Sequence, residues 1–189
     1  MIKDIDLSII ELVVFDFDGV FTNNFVYVDE NEPLGTGGAL KFASSFLDKE
    51  FLVLNGDSFF DFDYSKLGKF LLTSPNSMVA MALKFEEDTQ RYGQVVLNEK
   101  YVKGYIEKGF GSKSGLINTG VYLMKHEVLD ILPEGFCSLE RDLFPKLVDD
   151  SLIVGLQFNG YFIDIGLPFE LKRAQTELSS WSMSNNLFN

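Results

Sequence analysis

The sequence predicts a three-layer α/β domain built on a mostly parallel sheet with an inserted antiparallel hairpin, and three observations carry that prediction. Short apolar runs, such as Phe51-Leu52-Val53-Leu54 and residues 77–85, have the length of buried strands rather than of buried helices. Stretches of helical pattern at about residues 39–47 and 63–74 lie next to them, as the crossovers of a parallel sheet require. Two further strand-like segments, residues 91–97 and 102–109, flank the polar turn Asn98-Glu99-Lys100 and read as a hairpin. Together these describe a Rossmann-like sheet covered on both faces.

The chain has 189 residues, which suits one domain or one domain with an appendage. Its hydrophobic fraction of 46% includes 19 phenylalanines, so the core is aromatic-rich. The formal charge of -12 argues against nucleic acid as a partner, because counterion release needs a basic surface. Any phosphate ligand must then be met by a metal or by a few local cations. A single cysteine, Cys137, rules out an internal disulfide framework and reads as a buried thiol. No apolar run reaches the ~18 residues of a membrane span, and the start lacks a basic region leading into a secretory core. A cytoplasmic protein with no membrane partner is expected.

The first strand runs into Phe15-Asp16-Phe17-Asp18-Gly19, where the backbone at a strand end can turn two alternate acids toward one cation. Next comes Glu32-Pro33-Leu34-Gly35-Thr36-Gly37-Gly38, a glycine-rich turn, with a helix expected from about Ala39. The following strand ends in Asn55-Gly56-Asp57-Ser58. Ligands of open α/β sheets lie beyond the carboxyl ends of strands, so Asp57 stands where a metal or phosphate site is expected. Glycines permit close approach and amides at a helix start favour anions, so the turn can lie against a nucleotide while Asp57 carries a cation. The plain alternative is a tight turn with a solvated aspartate.

Farther on, Tyr92-Gly93 opens the hairpin and Glu107-Lys108 closes it, the latter also readable as a solvated pair at a strand end. Residues 115–124 form a strand interrupted by Asn118-Thr119-Gly120, costly in a core unless a ligand or the backbone satisfies it. His126 begins a helix expected to run to residue 132 and reads as a surface or capping residue. Ser138-Leu139-Glu140-Arg141-Asp142 has the serine and acids of a helix start. A strand at 152–158, a second strand ending in Asp164-Ile165-Gly166, and a helix at 168–175 complete the pattern. The polar tail, 179–189, is expected to fray.

The pair "EPLGTGGALK" and "LVLNGDSF" resembles the sugar-phosphate nucleotidylyltransferases, most closely the bacterial branch that makes nucleotide-activated heptose or hexose for lipopolysaccharide or capsule. The resemblance spans residues 32–177, with six motifs in family order. It implies that Leu34, Gly35, Thr36, Gly37 and Gly38, with Asn55 and Gly56, contact base and sugar. It implies Mg²⁺ on Asp57 and Asp164, and Glu107 and Lys108 on the sugar phosphate. Gly93 would let the chain pass close to the sugar, and Asn118 would meet a sugar hydroxyl; for Glu140, sugar contact and capping stay equally open. The implied partners are a nucleoside triphosphate and a sugar 1-phosphate, or the nucleotide-sugar, with guanine and a manno-heptose phosphate the nearest case. A homo-oligomer stays open.

Residues 1–31 resemble another family at Asp16-Phe17-Asp18-Gly19: the haloacid-dehalogenase-like sugar-acid phosphatases. There Asp16 would be the nucleophile and Asp18 the general acid and base. The transferase-like domain is expected at 32–178, without the family's arginine- and lysine-bearing loop ahead of Glu32. The leading expectation is a nucleotide-sugar pocket with weak or no transferase activity alone. A Mg²⁺-dependent phosphatase and a non-catalytic binding module are the alternatives.

Overall fold

The computed structural model describes residues 34–106, 110–111 and 113–178 in full, together with the backbone of residues 13–16 and 179–184. Strand β1 (Val13–Asp16) pairs in parallel with β2 (Glu50–Asn55), bringing Asp16 opposite Asn55. This places the apolar run at Val13 to Asp16 as a first strand beside β2. Next to β2 stands β7 (Gly115–Lys125), then β4 (Val79–Glu86), β8 (Ile153–Gln157), β6 (Tyr101–Ile106) and β5 (Gln94–Asn98). A separate two-stranded sheet joins β3 (Ser58–Phe60) to β9 (Phe162–Asp164).

Helix α1 (Gly35–Phe42) starts earlier than expected and takes the whole glycine run into its first turns. Helix α2 (Ser65–Leu72) and the short α3 (Phe144–Asp149) follow the expected pattern. Helix α4 (Pro168–Ser184) runs well beyond residue 175 and through the first residues of the expected tail. His126 opens a 3-10 turn, His126–Asp130, rather than an α-helix.

The three layers follow from side-chain alternation along the central strands. Phe51 and Val53 of β2, Val79, Met81 and Leu83 of β4, and Tyr122 and Met124 of β7 form one core with Leu40 of α1 and Phe144 and Leu147 of α3. Leu52, Ala80, Ala82, Val121 and Leu123 point the other way, into a second core with Leu67 and Leu71 of α2 and Phe60 of β3. A sheet apolar on both faces must be covered on both.

The expectation of a mostly parallel sheet is corrected. Among the described strands, only the β1–β2 and β4–β8 pairs are parallel; β7 is antiparallel to β2, β4 and β5, and β6 is antiparallel to β5 and β8. The cause is the connections. The chain passes from β5 to β6 through the Glu99 turn, whose φ of 53° marks a tight reversal. A strand reached without a helical crossover comes back antiparallel. Strands β1, β2, β4, β5 and β8 share one direction against β6 and β7, and the side-by-side parallel pairs are β1–β2 and β4–β8.

Candidate active site

Strand β7 explains where the site lies. Along one edge it pairs with β4 from Gly115 to Met124, with a register shift between Met81 and Leu83. Its other edge is divided: residues 121–125 pair with β2, whereas Ile117 pairs with Gln94 of β5. The ladder parts at Asn118-Thr119-Gly120, the polar interruption seen in the sequence. A cleft of about 1100 Å³ opens at this fork, lined by Asn55 and Asp57 on one side, Gly93 on another, and Asn118, Thr119 and Gly120 at its base.

Asn118 and Thr119 each have protein partners. Thr119 Oγ1 donates to the Ala82 carbonyl at 2.9 Å, Asn118 Oδ1 accepts from the Gly120 amide at 3.0 Å, and Asn118 Nδ2 donates to the Tyr122 hydroxyl at 2.7 Å. Gly120 has φ of 75°, and a Cβ there would lie 2.6 Å from Asn55 Cγ. Glycine is therefore needed for both conformation and close approach.

Two acids meet across the small sheet. Ser58 is the register partner of Asp164, and the Ile165 amide donates to the Asp57 carbonyl at 2.8 Å, so each aspartate is fixed at the end of one strand against the other. Asp57 Oδ1 accepts from Ser58 Oγ at 3.2 Å, and Asp164 Oδ1 from the Gly166 amide at 2.8 Å. A Cβ on Gly166 would stand 3.0 Å from Asp164 Oδ1 and 3.8 Å from Asp57 Oδ2, so both carboxylates face one spot. Phe60, 1% exposed, holds this pair of strands down on Phe62 and Phe162, with ring centroids 4.8 and 5.7 Å away. Two carboxylates on a rigid base suit a hard divalent cation whose other ligands are water or phosphate oxygens. Among the described residues no group of three or more His, Cys, Asp or Glu is arranged to hold a metal alone.

The other wall comes from β6, α3 and the turn before it. Gly104, Tyr105 and Ile106 line it beside Glu140, Pro145, Val148 and Asp149. Glu140 sits on a π-helical turn, Leu139–Leu143, whose cap is Ser138. The Ser138 hydroxyl accepts from the Arg141 amide at 3.3 Å, and Asp142 answers by accepting from the Ser138 amide at 2.7 Å. Asp142 thus performs the capping that was left open for Glu140, and Glu140 lines the cleft.

The glycine motif opens α1. Leu34, Gly35, Thr36, Gly37 and Gly38 are not among the described residues that line this cleft. The amides of Gly37 and Gly38 donate to the Cys137 carbonyl at 2.8 and 3.2 Å, and the Cys137 amide donates to the Leu34 carbonyl at 2.9 Å. Thr36 Oγ1 accepts from the Leu139 amide at 2.8 Å. The Gly37 and Gly38 amides are thus committed to protein, and together with the bonds accepted by Leu34 and Thr36 they seat the turn that carries Glu140. Burial pushes the Cys137 thiol above its ordinary pKa.

Asp57, Asp164, Asn55, Gly93, Asn118 and Glu140 are brought together; Gly56 lies in the turn between Asn55 and Asp57. Glu107, Lys108 and Asp18 fall outside the described residues, and of Asp16 only the backbone is described. The sequence reading missed Tyr105, Lys103 and Asp149. Tyr105 and Lys103 had one signal, the period-2 spacing that puts them on one face of β6. Asp149 had none. Tyr92, half-buried against Phe162 at 6.0 Å, has its pKa raised by burial, with Asp164 and Glu170 adding to the rise against the Arg91 charge. Arg91 lies 5.5 Å from the Tyr92 ring and pairs with the buried Glu170 of α4, bracing the loop before β5.

A family profile described as Nucleotidyl transferase matches residues 16–180. The chain belongs to the nucleotidyl transferase family. Among curated relatives of this chain, the D-glycero-alpha-D-manno-heptose 1-phosphate guanylyltransferase of Campylobacter jejuni is 40% identical over 146 residues, covering 75% of this chain and 62% of that protein. The protein of the same name from Aneurinibacillus thermoaerophilus is 35% identical over 158 residues, covering 82% and 67%. The crystal structure of HddC from Yersinia pseudotuberculosis complexed with GMP-PN superposes with a TM-score of 0.68 at 33% identity, covering 79% of this chain and 64% of that one. The chain thus spans 62% of the length of the Campylobacter relative. The family match begins at Asp16 and takes in the segment that resembles the phosphatase motif.

Proposed function

We propose that this chain binds a nucleotide-sugar, or the nucleoside triphosphate and sugar 1-phosphate that form it, in the cleft at the β7 fork, with Mg²⁺ on Asp57 and Asp164. The observation that carries the reading is the β3–β9 pairing, which aims two aspartates at one spot beside Gly166. Guanine and a manno-configured sugar are the favoured ligands, supported by the guanylyltransferase names of the two bacterial relatives and by the GMP-PN complex. The setting is cytoplasmic synthesis of a nucleotide-activated sugar for lipopolysaccharide or capsule; among the described residues no helix is long and apolar enough to cross a membrane.

In the reaction, an oxygen of the sugar 1-phosphate bonds to the α-phosphorus as the bond from that phosphorus to pyrophosphate breaks. Catalysis of this kind is mainly positioning and charge neutralisation. Bound Mg²⁺ supplies positive charge against the phosphates. Asp57 and Asp164 supply its anchoring oxygens, Asn118 and Glu140 meet sugar hydroxyls, and Gly93 allows the sugar to approach the backbone. Lys108 would meet the sugar phosphate. Among the described lining residues the charges are Asp57, Glu140, Asp149 and Asp164 against the single cation Lys103, which donates to Ser151 Oγ at 2.6 Å. Phosphate in this cleft is therefore met chiefly by the bound metal.

Calorimetric titration with GDP-mannose, GTP and mannose 1-phosphate, each with and without Mg²⁺, tests the reading on the wild-type chain and on Asp57→Asn. Binding that requires Mg²⁺ and weakens on the order of 10- to 100-fold in Asp57→Asn is the expected result. A folded chain that binds none of the three overturns it.

A further inference from the structure

The Asn118 side chain is held in one orientation. A backbone amide can only donate, so the Asn118 atom 3.0 Å from the Gly120 nitrogen must be the carbonyl oxygen. The nitrogen Nδ2 is thereby turned toward the Tyr122 hydroxyl, 2.7 Å away. Flipping the amide would set two donors against each other at Gly120. Tyr122 itself cannot drift: it is 1% exposed, and its ring packs on Phe144 with centroids 5.1 Å apart.

A primary amide has two N–H groups and two oxygen lone pairs. One of each is used by Tyr122 and Gly120, which leaves one N–H and one lone pair of Asn118 for the cleft it lines. We infer that Tyr122 is a positioning residue for sugar recognition: through the Asn118 amide it fixes a donor beside an acceptor, a pattern matched by two neighbouring ring hydroxyls, one accepting and one donating. The inference rests on the proposed nucleotide-sugar reading and adds to it the group that sets its selectivity for the sugar half. A site built to hydrogen-bond a hydroxyl rejects ligands lacking it, because its own polar groups are left unpaired.

The test is calorimetric affinity for GDP-mannose and for GDP, both with Mg²⁺, in the wild type, Tyr122→Phe, Asn118→Ala and the double variant. Tyr122→Phe keeps the ring and removes the hydroxyl. It should weaken GDP-mannose binding about five- to tenfold, the worth of one net hydrogen bond, and leave GDP unchanged. In the Asn118→Ala background the same substitution should cost nothing more, since its effect passes through Asn118. Equal losses for GDP and GDP-mannose, additive losses in the double variant, or no loss at all would each overturn the inference while the proposed function stands. A wild type that binds neither ligand overturns both. Asn118→Asp is the second probe: its carboxylate still accepts from Gly120 but offers no N–H, so GDP-mannose affinity should fall and GDP affinity hold. Unchanged GDP-mannose affinity there also overturns the inference.

Discussion

The Gly37 and Gly38 amides turn inward onto protein, while residues 55–58 hold a carboxylate out toward the cleft. Both segments carry glycine and polar side chains next to a regular element, and what packs against each decides its use. The start of α1 meets a loop whose Cys137 carbonyl takes two of its amides, and glycines there allow main chain to touch main chain. The Asp57 turn meets β9 through its backbone carbonyl, and its carboxylate stands beside Asp164. The difference teaches that a glycine motif can serve a site from behind, by seating the turn that carries Glu140.

The contrast breaks most visibly at Gly38. A Cβ there would lie 2.3 Å from the Gly135 carbonyl oxygen, so Gly38→Ala should cost about 3 kcal/mol of stability by urea unfolding, an overpacking effect. An unchanged unfolding midpoint with lost ligand binding would reverse the roles assigned to the two segments. Asp57→Asn should do the opposite, leaving stability within about 0.5 kcal/mol and lowering Mg²⁺-dependent affinity on the order of 10- to 100-fold, as loss of a charged contact does. Stability that falls with affinity would show the carboxylate to be structural.

Ser138→Ala should cost about 1 kcal/mol, the usual worth of an N-cap, with a parallel loss of nucleotide-sugar affinity because the turn bearing Glu140 loosens. Retained affinity would separate that turn from the site. The mildest prediction concerns Cys137. The thiolate is the reactive form and burial raises the thiol pKa, so raising the pH through 8 to 9 should leave alkylation by iodoacetamide slow in the folded chain and fast in the unfolded one. Rapid alkylation of folded protein would show that α1 lifts away from its loop.

Much of this arrangement was legible in the residues because it is local. Apolar runs of strand length, the Glu99 turn, acids at strand ends and the Ser138 start are encoded within a few positions. The orientation of β7 was not, since direction depends on how the chain connects β5, β6 and β7 rather than on the pattern within any strand. Nor was the fate of the glycine run: Gly37 and Cys137 are far apart in sequence, and only the folded contact shows whose carbonyl takes the amides. Glu140 is the intermediate case. Its place at a helix start could be read directly, but choosing between cap and cleft required knowing that Asp142 had already taken the cap.

The divided edge of β7 has a mechanical consequence. Asn55, at the end of β2, and Gly93, just ahead of β5, stand on opposite jaws whose common backing is one strand, clamped along its other edge by β4. Gly120, in its left-handed conformation, marks the point where those jaws meet. The width of the opening is thus governed by flexure of a strand, and a filled opening should slow hydrogen exchange at amides on both sides of Gly120 together rather than on one jaw alone.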